Sequence, residues 1–262
     1  MPLIIVGLGI KSFAHLTKEA EKVIMESDKV LYLSNDKLYP KWIKEVSKKS
    51  ESLNEIYFSE KKREDSYNAL KDKVKMELSK VDNLCLAIYG HPAFFVQLTE
   101  KVSDCIADQY DFRVLPAISA LDCLLADLVI NPGHGGMQVM DATEMLVNKR
   151  YVDISSHIII FQIAAIGLTG HHRCDNLMQG GLEILCEYLL KYYPKKHEVI
   201  FYKASQYPLM QPKIIRCFLS EAATTQVCEI TTMYIPPLKE KFADETMVEN
   251  IKLLFSNTDA TS

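Results

Sequence analysis

Two phenols flank a guanidinium between residues 57 and 67, a grouping suited to moving a proton. Arg63 and Tyr67 stand four residues apart near the start of a helical pattern, so they share a face, and Tyr57 precedes them. A guanidinium stays charged, favours phenolate and lowers a phenol's pKa from its usual value of about 10, which makes Tyr67 a candidate base or oxyanion partner. The plainer alternative is a solvated helix face, because residues 60–65 form a dense charge run and Tyr67 opens an apolar stripe. A second grouping is Tyr89-Gly90-His91-Pro92, directly after the apolar run at 84–88. It places a phenol, a flexible glycine and an imidazole at the carboxyl end of a strand, where open α/β sheets hold ligands. His91 is the first candidate for a base there, and an ordinary strand-to-loop turn is the alternative.

Further segments carry weaker signals. Gly7-Leu8-Gly9 follows a strand, but Ser12 stands where a dinucleotide fingerprint needs its third glycine, leaving either a tight turn or a close backbone approach to a substrate. Pro116-Ala117-Ile118-Ser119-Ala120 also follows a short strand and ends in small residues that open a helix, which suits backbone contact with a flat ligand or simple capping by Ser119. Thr231 and Thr232 open a β-rich run stopped by Pro236-Pro237. Their hydroxyls could hold an adenine edge, or the run is a plain strand with a stop signal. His171-His172-x-Cys174 is the nearest approach to a metal cluster, but adjacent histidines diverge and no second ligand pair follows, so it reads as a polar loop and no metal is expected.

The elements that must position these residues alternate. Strand-like runs at 3–6, 29–33, 84–88 and 112–115 are interleaved with helical stretches at 17–26, 42–47, 67–81 and 94–108. Such alternation predicts a mostly parallel sheet with helices on its faces. Beyond Pro116 come helices at 120–128, 142–148 and 181–191, a Pro-Gly-His-Gly-Gly loop at 132–136, strands at 158–162, 198–202 and 229–235, and a terminal helix at 244–255. The expected organisation is an α/β chain of two lobes, 1–116 and 117–258, with a frayed tail at 259–262.

At 262 residues with a formal charge of -4, the chain can bury a sizeable core and offers no general attraction to nucleic acid. No apolar run reaches membrane-spanning length and no signal-peptide pattern opens the sequence, which points to a cytoplasmic protein. The seven cysteines form no Cys-x-x-Cys and lie mostly in apolar stretches, as reduced core residues do.

Taken in order, Gly7-x-Gly9, Tyr89-Gly90-His91-Pro92, Pro116-x-x-Ser119-Ala120, Gln162 after an apolar strand, and Thr231-Thr232 before Ile235-Pro236-Pro237 resemble the tetrapyrrole methylase fold. The match is closer to one branch, the borosin-type peptide backbone α-N-methyltransferases. It rests on Tyr57, Arg63 and Tyr67 at matching spacing, on Ser119-Ala120-x-Asp122-Cys123-Leu124-x-Ala126-Asp127, and on Asp141-Ala142-Thr143 through Arg150 to His157-x-Ile159-Ile160-x-Gln162. Phe161 and Asn54 depart from that branch, whose members carry Trp at the first position and some of which carry Tyr at the second.

The resemblance implies a two-lobed fold, with a mostly parallel N-terminal sheet, a mixed C-terminal sheet and S-adenosylmethionine in the cleft between them, leaving as S-adenosylhomocysteine. Contacts to it would come from Tyr89, His91, Phe94, Ser119, Ala120, Gln162, Tyr202, Thr231 and Thr232, many through backbone. Tyr57, Arg63, Tyr67 and Tyr89 would surround the target amide, which moves the proton chemistry away from His91. Fused members carry a clasp region and their own substrate peptide C-terminally, whereas this sequence stops soon after Phe255. The resemblance therefore implies action in trans on a separate precursor, by a homodimer or a 2:2 complex with that precursor. The alternatives are a tetrapyrrole C-methyltransferase of the same fold and a non-catalytic protein that binds S-adenosylmethionine or a peptide.

Overall fold

The computed structural model describes residues 2–170, 175–238 and 243–258. The histidine pair at 171–172 with Cys174, and the tail at 259–262, lie outside them. In chain order the first lobe runs β1 (Leu3–Gly7), α1 (Lys18–Glu26), β2 (Lys29–Leu33), α2 (Tyr39–Val46), β3 (Ser50–Ser52), α3 (Asn54–Ser59), α4 (Arg63–Leu78), β4 (Leu84–Ile88), α5 (Gln97–Ile106) and β5 (Phe112–Leu115). The second runs α6 (Ala120–Leu128), β6 (Met137–Asp141), α7 (Ala142–Val147), β7 (His157–Phe161), α8 (Asp175–Leu189), β8 (Glu198–Lys203), β9 (Lys213–Phe218), α9 (Leu219–Ala222), β10 (Thr232–Ile235) and α10 (Glu245–Thr258).

The first sheet is parallel throughout, in the order β3-β2-β4-β1-β5. Its central strands are apolar runs buried on both faces, as a sheet covered by crossover helices requires. Because β4, β1 and β5 are neighbours, the loops after them meet at one end, bringing residues 7–10, 89–92 and 116–119 together. The second sheet is mixed, in the order β6-β7-β10-β8-β9, with β6 parallel to β7 and the remaining pairs antiparallel. Ile10 from the first lobe packs into the core formed by Leu124, Ile159, Tyr202 and Tyr234 of the second, so the lobes share an apolar seam.

The structure corrects several sequence expectations. β3, β6 and β9, and the helices α3 and α9, carry no clear apolar period and were not expected. The helix expected from Phe94 begins at Gln97, since Phe95 takes a left-handed backbone that a helix cannot accommodate. The strand expected from Glu229 begins at Thr232, because a turn in which the Thr231 amide donates to the Cys228 carbonyl occupies the preceding residues. The six described cysteines are all free thiols.

The back of α4 is fastened by charge. Glu77, whose side chain is only 6% exposed, accepts from Lys29 of β2 at 2.8 Å and from Lys73 and Lys80 at 3.1 Å. These ammonium groups, Lys29 foremost, outweigh burial and hold its carboxyl at about 2. A carboxyl depressed in the folded state stabilises above its ordinary value, near 4.5, and that contribution is lost as pH falls toward about 2. Glu77→Gln is therefore expected to cost on the order of 3 kcal/mol at neutral pH. Urea midpoints should show the gap to wild type closing across that acid window, and a gap independent of pH would contradict the assignment.

Candidate active site

The chemistry-bearing side chains sit where the first residue of α4 meets the second lobe. The Arg63 amide donates to the Thr169 carbonyl at 2.9 Å, and Lys62 forms an isolated β-bridge with Gly170. That clamp aims the Arg63 guanidinium at the loop after β7, where Nη1 donates to the Gln162 side-chain oxygen at 3.5 Å. Arg63 Nε is buried and has no hydrogen-bond partner among the described residues. One turn on, Tyr67 packs against Tyr57 with ring centroids 5.8 Å apart. Tyr89 approaches from the end of β4, donating to the Ile10 carbonyl at 3.3 Å and accepting from Gln206 at 3.4 Å.

All four side chains line one chamber of about 300 Å³, together with Phe95 and Gln162. The chamber opens into a cleft of about 740 Å³ between the lobes, sharing Arg63, Tyr67, Phe95 and Gln162 as walls. The juxtaposition expected from the sequence is present, but the electrostatics differ. Burial pushes the Tyr67 phenol well above its ordinary range, and the neighbouring Tyr57 raises it further. Arg63 opposes this and does not win. Tyr67 therefore rests protonated, contrary to the phenolate bias expected from Arg63 alone. Burial raises Tyr89 as well, only partly offset by Gln206.

A second cavity of about 160 Å³ adjoins the chamber, sharing Tyr89, Gln162, Glu229 and Ile230. Of the nine residues expected to contact a methyl donor, Tyr89, Ala120, Gln162, Thr231 and Thr232 line this cavity. The other four do not. His91 accepts from the Ala93 amide at 3.1 Å, Phe94 packs on Phe95 and Phe161, and Ser119 forms a capping box with Asp122 at the start of α6. The Tyr202 phenol is buried and donates to Asp127 at 2.6 Å. Tyr202→Phe is thus expected to lower stability by about 1–3 kcal/mol in urea unfolding while changing donor affinity less than about twofold. A large loss of affinity at unchanged stability would contradict that placement. Gly7 and Gly9 line none of these cavities, which favours the tight-turn reading of that motif.

Several lining residues escaped sequence reasoning. Ile10 and Ala204 of the smaller cavity and Phe95 of the chamber are apolar and non-periodic, so only adjacency to Gly9 marked Ile10, nearness to His91 marked Phe95, and nothing local marked Ala204. The smaller cavity suits an adenosine-bearing sulfonium. Ile10, Phe161, Ala120 and Ala204 give apolar walls, Thr231 and Thr232 add polar residues to the lining, and Glu229 borders both spaces.

Comparisons with known proteins agree with this geometry. The model of the tetrapyrrole (corrin/porphyrin) methylases matches residues 2–223. The chain belongs to that family, whose members are S-adenosylmethionine-dependent methyltransferases. Among curated proteins it is 30% identical over 96% of its length to a methyltransferase/ribosomally synthesized cyclic peptide gymnopeptides precursor from Gymnopus fusipes, covering 61% of that protein. It is 31% identical over 90% of its length to a methyltransferase/ribosomally synthesized type III borosin cyclic peptide precursor from Anomoporia bombycina, covering 28% of it. The borosin likeness read from the sequence is thus borne out, and the chain spans about three-fifths of the length of most of the fungal relatives it matches. A uroporphyrin-III C-methyl transferase from Thermus thermophilus, solved in complex with S-adenyl homocysteine, shares the fold with a TM-score of 0.61 at 16% identity, covering 89% of this chain and 96% of that one.

Proposed function

We propose that the protein methylates backbone amide nitrogens of a peptide. The observation that carries this reading is the single chamber in which Tyr57, Arg63, Tyr67 and Tyr89 converge between a peptide-sized cleft and the smaller cavity. S-adenosylmethionine, when bound, supplies an electrophilic methyl group on its sulfonium. Ile10, Ala120, Thr231 and Thr232 would hold it, with Tyr89 and Gln162 bordering the acceptor.

A peptide nitrogen is a poor nucleophile because its lone pair is delocalised into the carbonyl. The chamber must make the amide imidate-like. Tyr67 accepts the amide proton in its minor phenolate form, returning to the neutral phenol that burial favours, and Arg63 sustains that phenolate fraction against burial. Tyr57 and Tyr89 stabilise the charge developing on the amide oxygen. A peptide oxygen near Arg63 would also satisfy the orphaned Nε. Closing the chamber around the peptide excludes water and strengthens each of these contacts.

The test incubates the protein and S-adenosylmethionine with a synthetic precursor-type peptide supplied as a separate chain, or with uroporphyrinogen, and measures release of S-adenosylhomocysteine. Release with the peptide alone supports both the reading and presentation in trans. Release only with the macrocycle would overturn it in favour of C-methylation. Size-exclusion chromatography with light scattering tests the homodimer and the 2:2 complex that go with this reading.

A further inference from the structure

Phe95 occupies a position that its residue type does not explain. Its backbone is left-handed at φ 56, which is a genuine outlier for a bulky side chain. The residue is 39% exposed although it lies between two core-forming lobes. The adjacent Phe94 shows the ordinary alternative, since it packs into the apolar seam. Strained backbone held against local preference clusters at sites where a side chain must be aimed.

The ring of Phe95 is aimed at the point where three spaces meet. It lines the inter-lobe cleft, the chamber with Arg63 and Tyr67, and a small recess behind Tyr57 and Tyr67. Two other rings fix its depth. Phe94 lies 4.8 Å away at a steep angle, and Phe161 lies 5.0 Å away in a shallower tilt. Phe161 in turn borders the smaller cavity beside Gln162, another non-glycine residue with a left-handed φ of 56. A buttressed aromatic wall, spanning the route from cleft to reacting centre, limits the volume of whatever is drawn past it.

We propose that Phe95 is a specificity-determining residue that sets the size of side chain accepted on the residue whose amide reaches Tyr67. This rests on the peptide reading above and refines its substrate class to acceptor residues with side chains smaller than the large aromatics. The ring touches no reacting atom in this account. It acts by excluding bulk, so its removal should alter discrimination more than the rate on a small acceptor.

The experiment competes two synthetic precursor-type peptides, identical except for Ala or Trp at the acceptor position, for wild type, Phe95→Gly and Phe95→Leu. Wild type should favour Ala by about tenfold or more in kcat/KM. Phe95→Gly, which relieves the left-handed strain, should bring that ratio below about threefold through the Trp peptide, and Phe95→Leu should retain an intermediate ratio. The melting temperature should not fall in Phe95→Gly, whereas a ring kept only for packing would lower it. Equal discrimination in wild type and Phe95→Gly, or a clear loss of melting temperature with the ratio unchanged, would overturn the assignment. Transfer to neither peptide by wild type would remove the peptide reading and this inference with it, and transfer with unaltered discrimination removes the inference alone.

Discussion

Tyr67→Phe should lower the methyl-transfer rate by about 10²–10⁴-fold while leaving S-adenosylmethionine affinity within about twofold. The substitution keeps the ring that packs on Tyr57 at 5.8 Å and removes only the oxygen that can take a proton. Tyr67 does not line the smaller cavity, so donor binding has no reason to change. The pH profile separates a base from a mere hydrogen-bond donor. Because burial raises the Tyr67 phenol, its phenolate is scarce at neutral pH and grows about tenfold per pH unit. The wild-type rate should therefore climb through the alkaline range, beyond where an ordinary phenol would level off, until the fold fails. Tyr67→Phe should lose that slope. S-adenosylhomocysteine release against pH for both proteins checks the pair, and an equal slope in the variant would remove Tyr67 from the proton path.

Gly7→Ala should be severely damaging for a single added methyl, costing roughly 3–5 kcal/mol and yielding little folded protein. A Cβ at this position would lie 2.4 Å from the Ala117 Cβ, 2.4 Å from the Gly90 carbonyl oxygen and 2.7 Å from Pro92 Cδ. All three neighbours belong to the loops that follow β4 and β5, so none can yield without moving a strand end. The same movement would carry Tyr89 off the chamber wall. Gly90→Ala is the control. Its Cβ would meet only Ile10 at 3.5 Å, and the cost is the φ of 76, about 1–2 kcal/mol. Urea midpoints in which the two variants lose equal stability would contradict the close-approach account of Gly7.

How much of this was legible in the sequence follows from what each feature depends on. The strands at β1, β2 and β4 announced themselves because both faces of a parallel sheet are buried, which forces apolar runs, whereas β5, at the edge with Arg113 exposed, was marked only by Phe112, Val114 and Leu115. β3 did not, since Ser50-Glu51-Ser52 pairs along one edge only and buries no apolar face. β9 stayed hidden for a related reason: it is an edge strand with charged and apolar residues mixed along it. Arg63 and Tyr67 were legible because helical spacing alone puts them on one face. The protonation of Tyr67 was not, because desolvation is a property of the assembled lobes and outweighs the one local charge that the spacing reveals. Tyr202 shows the same limit. Its phenol is engaged by Asp127, a residue 75 positions away in the chain, which no local pattern could indicate.

The acceptor we propose is a backbone amide. Incubating the protein with S-adenosylmethionine and a separately supplied precursor peptide, then sequencing the product by tandem mass spectrometry, tests it most directly. Backbone N-methylation adds the mass of one CH₂ per transfer, carried on fragment ions that place it on a backbone nitrogen and absent with Tyr67→Phe. Methyl groups confined to side chains or to the peptide termini, or backbone methylation that persists in Tyr67→Phe, would contradict it.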